Sequence, residues 1–246
     1  MLTLSFMKKQ ILLTRPRTAS ERFGLRLMQS GFAYKIDPLL TISPTRNKRP
    51  AGDLQAVMVT SANALDALAE QGNEIHDLLE LPCFCVGEAT GLQAQSLGFR
   101  HIHCGSSDSV ELSRFIAPSF KDKSVLHIAS DITDNKARDF LSVHSVTLIP
   151  WIVYKAIAAE DFMPETHALF TSQNIAAIPV FSPRTAHILV SLIEKNGFSH
   201  ACKSISAIAL SQAVADVLQT LPWQSLAVAS NPSEDKILSC LQTELP

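Results

Sequence analysis

No run of 18 consecutive apolar residues occurs in this chain. Charges or prolines interrupt every candidate, so no transmembrane helix is expected. No Cys-x-x-Cys pair occurs either. The five cysteines, Cys83, Cys85, Cys104, Cys202 and Cys240, form an odd set. Such a set argues against a disulfide framework and for buried thiols in a reduced, cytoplasmic protein. Also missing are the glycine-rich dinucleotide fingerprint, the phosphate-binding P-loop and the nucleophile elbow of hydrolases. Neither sign of charge dominates: 21 Lys and Arg face 23 Asp and Glu, for a formal net charge of −2. That excludes a global attraction to nucleic acid or anionic membrane, and an anionic ligand has to be held by local groups. The first ten residues carry their lysines after a short apolar stretch instead of before it, the reverse of a signal peptide. Met7-Lys8-Lys9 reads as an alternative start, with residues 1–6 as an extension. His101, His103, Cys104 and His127 are ligand types, but no pair has finger-type spacing, and no metal site is expected.

What is present suffices for a large core. The 246 residues are 46% hydrophobic, which suits one large domain or two of about 120 residues. The most informative stretch is residues 57–68. Val57-Met58-Val59 is a short apolar run of strand type, and Thr60, Ser61 and Asn63 are residues that cap helices. Leu65 and Leu68 begin a helical stripe. A strand breaking into a helix in this way points unpaired backbone N–H groups and a positive helix end at whatever lies above the strand tips, a natural anion site. The same grammar recurs at residues 179–186, where a strand ends in Ser182-Pro183 and Pro183 suits a first helical position.

Read in order, residues 11–14 form a strand, 18–30 a helix ended by Gly31, and 32–36 a second strand. Residues 37–50, polar and proline-bearing, read as a linker, its basic cluster Arg46, Lys48 and Arg49 as a solvated loop. Strands follow at 57–59, 82–86, 101–104, 124–129 and 143–149, with helices between them. Residues 150–154 run on as extended chain. That block has the alternation of a doubly wound parallel sheet. After Tyr154 come helices and three further strands at 178–181, 204–210 and 226–229, then a helix over 234–241 capped by Asn231-Pro232-Ser233. Three strands plus the two N-terminal ones again make five. One α/β domain is therefore expected from both chain ends (1–39 and 155–246), with a second inserted at 40–154. An internal echo supports two like halves: Val86-Gly87-Glu88-Ala89-Thr90 is answered by Leu210-Ser211-Gln212-Ala213-Val214. The cleft between two such units is the default ligand site.

Taken together, Thr14-Arg15-Pro16, Thr60-Ser61-Ala62-Asn63-Ala64, Val86-Gly87-Glu88-Ala89-Thr90, Val153-Tyr154, Phe181-Ser182-Pro183 and Asn231-Pro232-Ser233 fall in an order that resembles the uroporphyrinogen-III synthase family, over nearly the whole chain from Lys8. The resemblance implies two flavodoxin-like α/β domains joined by a two-stranded connector with a mobile interdomain angle, and a monomer without metal or organic cofactor. It implies dehydrating cyclisation of hydroxymethylbilane to uroporphyrinogen III with inversion of ring D. On that route, loss of the ring A hydroxyl gives an azafulvene. Ring D attacks through its substituted carbon, and the resulting spiro-pyrrolenine fragments and recloses. Transient contact with hydroxymethylbilane synthase, the preceding enzyme, is a further expectation.

The residues can be read against that chemistry. The substrate carries eight carboxylates, so a −2 protein needs local donors. Backbone N–H groups near Ser61, Ala62 and Asn63, near Gly87 and Thr90, and near Ser182 and Arg184 are suited to this, with Thr14 and Ser211 adding hydroxyls. Arg15, Arg184 and Lys155 are candidate charge partners. Tyr154, one of only two tyrosines, stands at the family position for the weak acid near the departing hydroxyl; a phenol can donate a hydrogen bond to that oxygen. Two positions depart from the family pattern: Val214 stands where a second threonine is usual, and Ser211 replaces the counterpart of Gly87. The rival expectation is a two-domain protein that binds or senses an anionic small molecule such as a tetrapyrrole without chemistry.

Overall fold

The computed structural model describes residues 9–69, 72–106, 108–132 and 135–245. The question of a start at Met1 or Met7 lies outside these residues. The chain separates into two compact units, unit 1 (Met1–Thr41 and Ala158–Pro246) and unit 2 (Ile42–Ile157).

Unit 1 opens with strand β1 (Gln10–Leu13), helix α1 (Arg17–Gln29) and strand β2 (Tyr34–Ile36). Gly31 ends α1 with φ +82°, a left-handed conformation that side chains resist. The segment expected to be a linker contains strand β3 (Leu40–Pro44). Its signal was masked by Pro38 and Pro44, but Leu39 and Leu40 are buried and Ile42 packs on a core. Beyond β3 the chain stays ordered through Trp151, whose Nε1 donates to Asn47 O at 2.9 Å, and through Thr45 N, which donates to Val153 O at 2.8 Å. The basic cluster there is not wholly solvated, since Arg49 pairs with Asp77.

Unit 2 then runs β4 (Leu54–Val59), α2 (Ala62–Ala69), β5 (Pro82–Val86), α3 (Glu88–Leu97), β6 (His101–Ser106), α4 (Ser109–Ile116), β7 (Ser124–Ser130), α5 (Lys136–Val143) and β8 (Thr147–Ala158). Val143 ends α5 instead of starting a strand: it is 82% exposed, and Ser145 (φ +59°) turns the chain before β8 begins at Thr147. A β-branched residue at a helix end imitated a strand start. The extended chain at 150–154 is the middle of β8.

The chain returns to unit 1 with α6 (Pro164–Thr171), β9 (Ile175–Val180), α7 (Pro183–Lys195), β10 (Ser206–Ala209), α8 (Gln212–Leu218), β11 (Ser225–Val228) and α9 (Glu234–Glu244). Its sheet has the order β11-β10-β9-β1-β2, with every pair parallel. Numbered within the unit this is 2-1-3-4-5, the flavodoxin order. The sheet of unit 2 is β3-β8-β7-β4-β5-β6. Its five strands from β4 onward are parallel in the order 3-2-1-4-5, also doubly wound, with β3 added at one edge. The inserted unit therefore has six strands where five were expected.

Period-two alternation explains why both faces of each sheet are covered. In unit 1, Leu12, Ile178, Ala207 and Ala209 face α7 and α8 through Leu189, Leu192, Val214 and Leu218. Their neighbours Ile11, Leu13, Ala177 and Ile208 face α1 and α9 through Phe23, Leu27, Ile237 and Leu241. In unit 2, Val57, Val59, Leu126 and Ile128 pack on α2 through Leu65 and Leu68, whereas Ala56, Met58, Phe84 and Val125 pack on α4 and α5 through Leu112, Ile116 and Leu141.

Candidate active site

In a doubly wound sheet the ligand crevice lies outside the carboxyl ends of the strands where the order reverses. In unit 1 that point is between β1 and β9. Thr14 and Arg15 follow β1, and Phe181, Ser182 and Arg184 follow β9, so the candidate site residues Thr14, Arg15, Ser182 and Arg184 lie at that end of the sheet. Ser182 caps α7: its Oγ accepts from Thr185 N at 3.1 Å and lies 2.8 Å from Thr185 Oγ1. Thr14 is fully buried, and its Oγ1 has no hydrogen-bond partner among the described residues. Arg15 forms an ion pair with Glu234 and lays its guanidinium over Phe181, 4.1 Å from the ring centre. Phe181 is braced edge-on by Phe23, with centroids 5.4 Å apart. Ser211 lies one strand further out, after β10, as the N-cap residue of α8; its side chain makes no capping bond. Val214 is buried in the core under α8, so its missing hydroxyl belongs to packing and not to an exposed rim.

In unit 2 the order reverses between β4 and β7. Ser61, Ala62 and Asn63 follow β4 at that point; Ser61 Oγ accepts from Asn63 N at 3.3 Å and so shapes the helix start. Beside them Thr60 Oγ1 lies 3.3 Å from His127 Nε2 of β7. Gly87 follows β5 with φ +73°, and a Cβ there would meet nothing within 4 Å, so the backbone at the start of α3 is open to approach. Thr90 lies buried in the first turn of α3. Tyr154 pairs in register with Ser130, the last residue of β7, and its carbonyl accepts from Asp131 N at 3.1 Å. That register sets it at the same end of the sheet as the β4–α2 junction. The residue is 6% exposed and belongs to the core that α2 and α3 cover. Lys155, its neighbour, is exposed.

A chain with this order of motifs and this pair of sheets invites comparison with known proteins. The family model described as uroporphyrinogen-III synthase HemD matches residues 21–239. The chain belongs to the uroporphyrinogen-III synthase family. The crystal structure of uroporphyrinogen-III synthetase from Helicobacter pylori is 18% identical, with a TM-score of 0.67 over 96% of this chain and 99% of that one. That of a mutant uroporphyrinogen III synthase from Thermus thermophilus is 12% identical, with a TM-score of 0.58 over 96% and 98%. At those identities the two structures speak for the fold. No curated protein sequence matches the chain.

Within this family member, sequence reasoning missed Glu234 and Phe181 as partners of Arg15, because an ion pair across 219 residues leaves no local signal. It considered His127 only as a metal-like residue and missed its contact with Thr60. Among the described residues no group of three or more His, Cys, Asp or Glu side chains is placed to hold a metal ion. Cys83 and Cys85, two residues apart on β5, share a face of that strand, their sulfurs 3.7 Å apart. No helix among the described residues is long and apolar enough to cross a membrane.

Proposed function

We propose that this uroporphyrinogen-III synthase family member dehydrates and cyclises hydroxymethylbilane to uroporphyrinogen III, acting as a hydro-lyase and as a cytoplasmic monomer that meets hydroxymethylbilane synthase at most transiently. The reading treats residues 1–39 with 155–246, and residues 40–154, as its two domains. The observation that carries it is the family match over residues 21–239. The placement of Tyr154, Ser61, Ala62 and Asn63 at one end of the unit 2 sheet agrees with it.

In this reading the chain's own residues act as follows. The helix starts after β4, β5 and β9 present backbone N–H groups to the substrate carboxylates, with Gly87 giving close approach and Thr14, Thr90, Ser182 and Ser211 adding hydroxyls. Arg15 and Arg184 supply positive charge. Tyr154 donates a hydrogen bond to the hydroxyl that leaves ring A. As the C–O bond breaks, the phenol proton passes to the departing oxygen, which leaves as water, and the ring nitrogen's electron pair moves into the ring to give the N-protonated azafulvene; the proton lost when the macrocycle closes returns to the phenolate. The substituted carbon of ring D then bonds to the freed methylene carbon. The spiro-pyrrolenine so formed fragments and recloses with ring D inverted. The pyrroles are already reactive, so folding the bilane to bring that carbon to ring A supplies much of the acceleration.

The test is a coupled assay. Hydroxymethylbilane is supplied to the purified protein, the products are oxidised, and the type I and type III porphyrins are separated. Predominant type III is expected. Tyr154→Phe is expected to lower kcat by roughly 10²-fold if the phenol is the general acid, with KM little changed. Folded wild-type protein yielding only type I at the uncatalysed rate would overturn the reading.

A further inference from the structure

The residue that holds Arg15 is itself a carboxylate. Glu234 Oε1 pairs with Arg15 Nη1, and Glu234 Oε2 accepts from Arg26 Nη1 at 3.3 Å; Arg26 also pairs with Asp235. Two guanidinium groups and two carboxylates thus close into a neutral network joining the end of β1, α1 and the first turn of α9. Arg15 and Glu234 are neither sealed nor free, with side chains 21% and 30% exposed. We propose that Glu234 stands in for a substrate carboxylate: it neutralises Arg15 while substrate is absent and yields it to a carboxylate of the tetrapyrrole when substrate binds. The inference rests on the synthase reading given above and assigns Glu234 the part of a positioning residue that tunes substrate affinity.

Three features favour exchange over a permanent tie. Arg15 does not need Glu234 to stay in place, because its guanidinium is stacked on Phe181 and its carbonyl accepts from Ser20 Oγ at 2.9 Å. Glu234 is not stranded after release, since Arg26 remains beside it and its own helix start favours a negative charge. The energy to be overcome is small, because ion pairs with this access to solvent contribute little. A planar fork already oriented at the β1–β9 crevice then offers the incoming carboxylate a two-point contact. A lone Arg15 without Glu234 would attract any small anion; the built-in carboxylate reserves it for a ligand that brings several carboxylates at once.

The test is steady-state kinetics of type III formation from hydroxymethylbilane for wild type, Glu234→Gln, Arg15→Gln and the double variant, with melting temperatures measured alongside. Glu234→Gln is expected to lower KM by about two- to fivefold with kcat unchanged, the range that an ion pair of this exposure supports. Arg15→Gln is expected to raise KM. The double variant is expected to match Arg15→Gln alone, since Glu234 acts through Arg15. A structural role for Glu234 predicts a different pattern: a lower melting temperature, with KM unchanged or raised in Glu234→Gln. That pattern overturns the proposal. Absence of type III product in the wild-type arm removes the synthase reading itself, and this inference with it.

Discussion

Gly24 of α1 lies directly beneath the ring of Tyr34 on β2: a Cβ added at Gly24 would stand 2.5 Å from Tyr34 Cζ and 2.9 Å from its hydroxyl oxygen. Glycine in a helix interior costs about 1 kcal/mol relative to alanine, so the helix alone would favour Gly24→Ala. The ring decides otherwise. Overpacking of this kind costs roughly 1–3 kcal/mol, and a net loss of stability is expected for Gly24→Ala in a denaturant titration. In a Tyr34→Ala background the same change is expected to be neutral or stabilising. Destabilisation of equal size in both backgrounds would show that the ring is not the cause.

Thr14 gives a stability–function contrast. A buried hydroxyl without a partner destabilises by on the order of 1–3 kcal/mol, and Thr14 Oγ1 is in that position. Thr14→Val is expected to raise the melting temperature and, if the hydroxyl serves the substrate, to lower kcat/KM. Thr166, also buried and with its Oγ1 unpartnered among the described residues, is the control: Thr166→Val is expected to stabilise without loss of activity. A Thr14→Val protein that is more stable and fully active would assign the hydroxyl no part in binding.

The thiols sort by exposure. Burial pushes the Cys202 thiol up to about 12, and Cys83 is raised by its hydrogen bond with the Cys85 thiol and by burial. Cys104 is exposed, although burial of part of its surroundings raises it too. In native protein at pH 8, timed alkylation read by peptide mass spectrometry is expected to modify Cys104 first and Cys240 next. Cys83, Cys85 and Cys202 should react only after denaturation. Labelling of Cys202 at the rate of Cys104 would contradict the packing beneath α7.

One pH effect has a definite sign. The hydrogen bond from Arg49 holds the Asp77 carboxyl below its ordinary value. A depressed carboxylate adds stability that is present above the unfolded value of about 3.9 and is lost as pH falls through the folded value. Arg49→Ala is therefore expected to lower the melting temperature slightly at pH 7, within the roughly 0.2–1 kcal/mol of an exposed pair. The gap to wild type should close as pH is taken below about 3.9. A gap that is constant from pH 7 to pH 3 would mean that Arg49 acts by packing alone.

Much of the architecture is dictated locally and was readable for that reason. The apolar runs at 11–13, 57–59 and 124–129 could only be strands buried on both faces, and Gly31, Gly98 and Gly197 stop helices where left-handed backbone is required. Ser182 followed by Pro183 fixes a helix start by itself. The order of such junctions along the chain sufficed to reach the family. What only the tertiary structure decided depends on partners distant in sequence. Strand β3 exists because β8 accepts it as a neighbour and Trp151 ties down the chain beyond it, and no local propensity could announce that. Strand order is likewise a matter of pairing: two units with the same alternation of elements adopt 2-1-3-4-5 and 3-2-1-4-5. Arg15 read as a free cation until the fold placed Glu234 and Phe181 against it. A charge is written in the sequence, but its electrostatic partner is set by packing across 219 residues of chain.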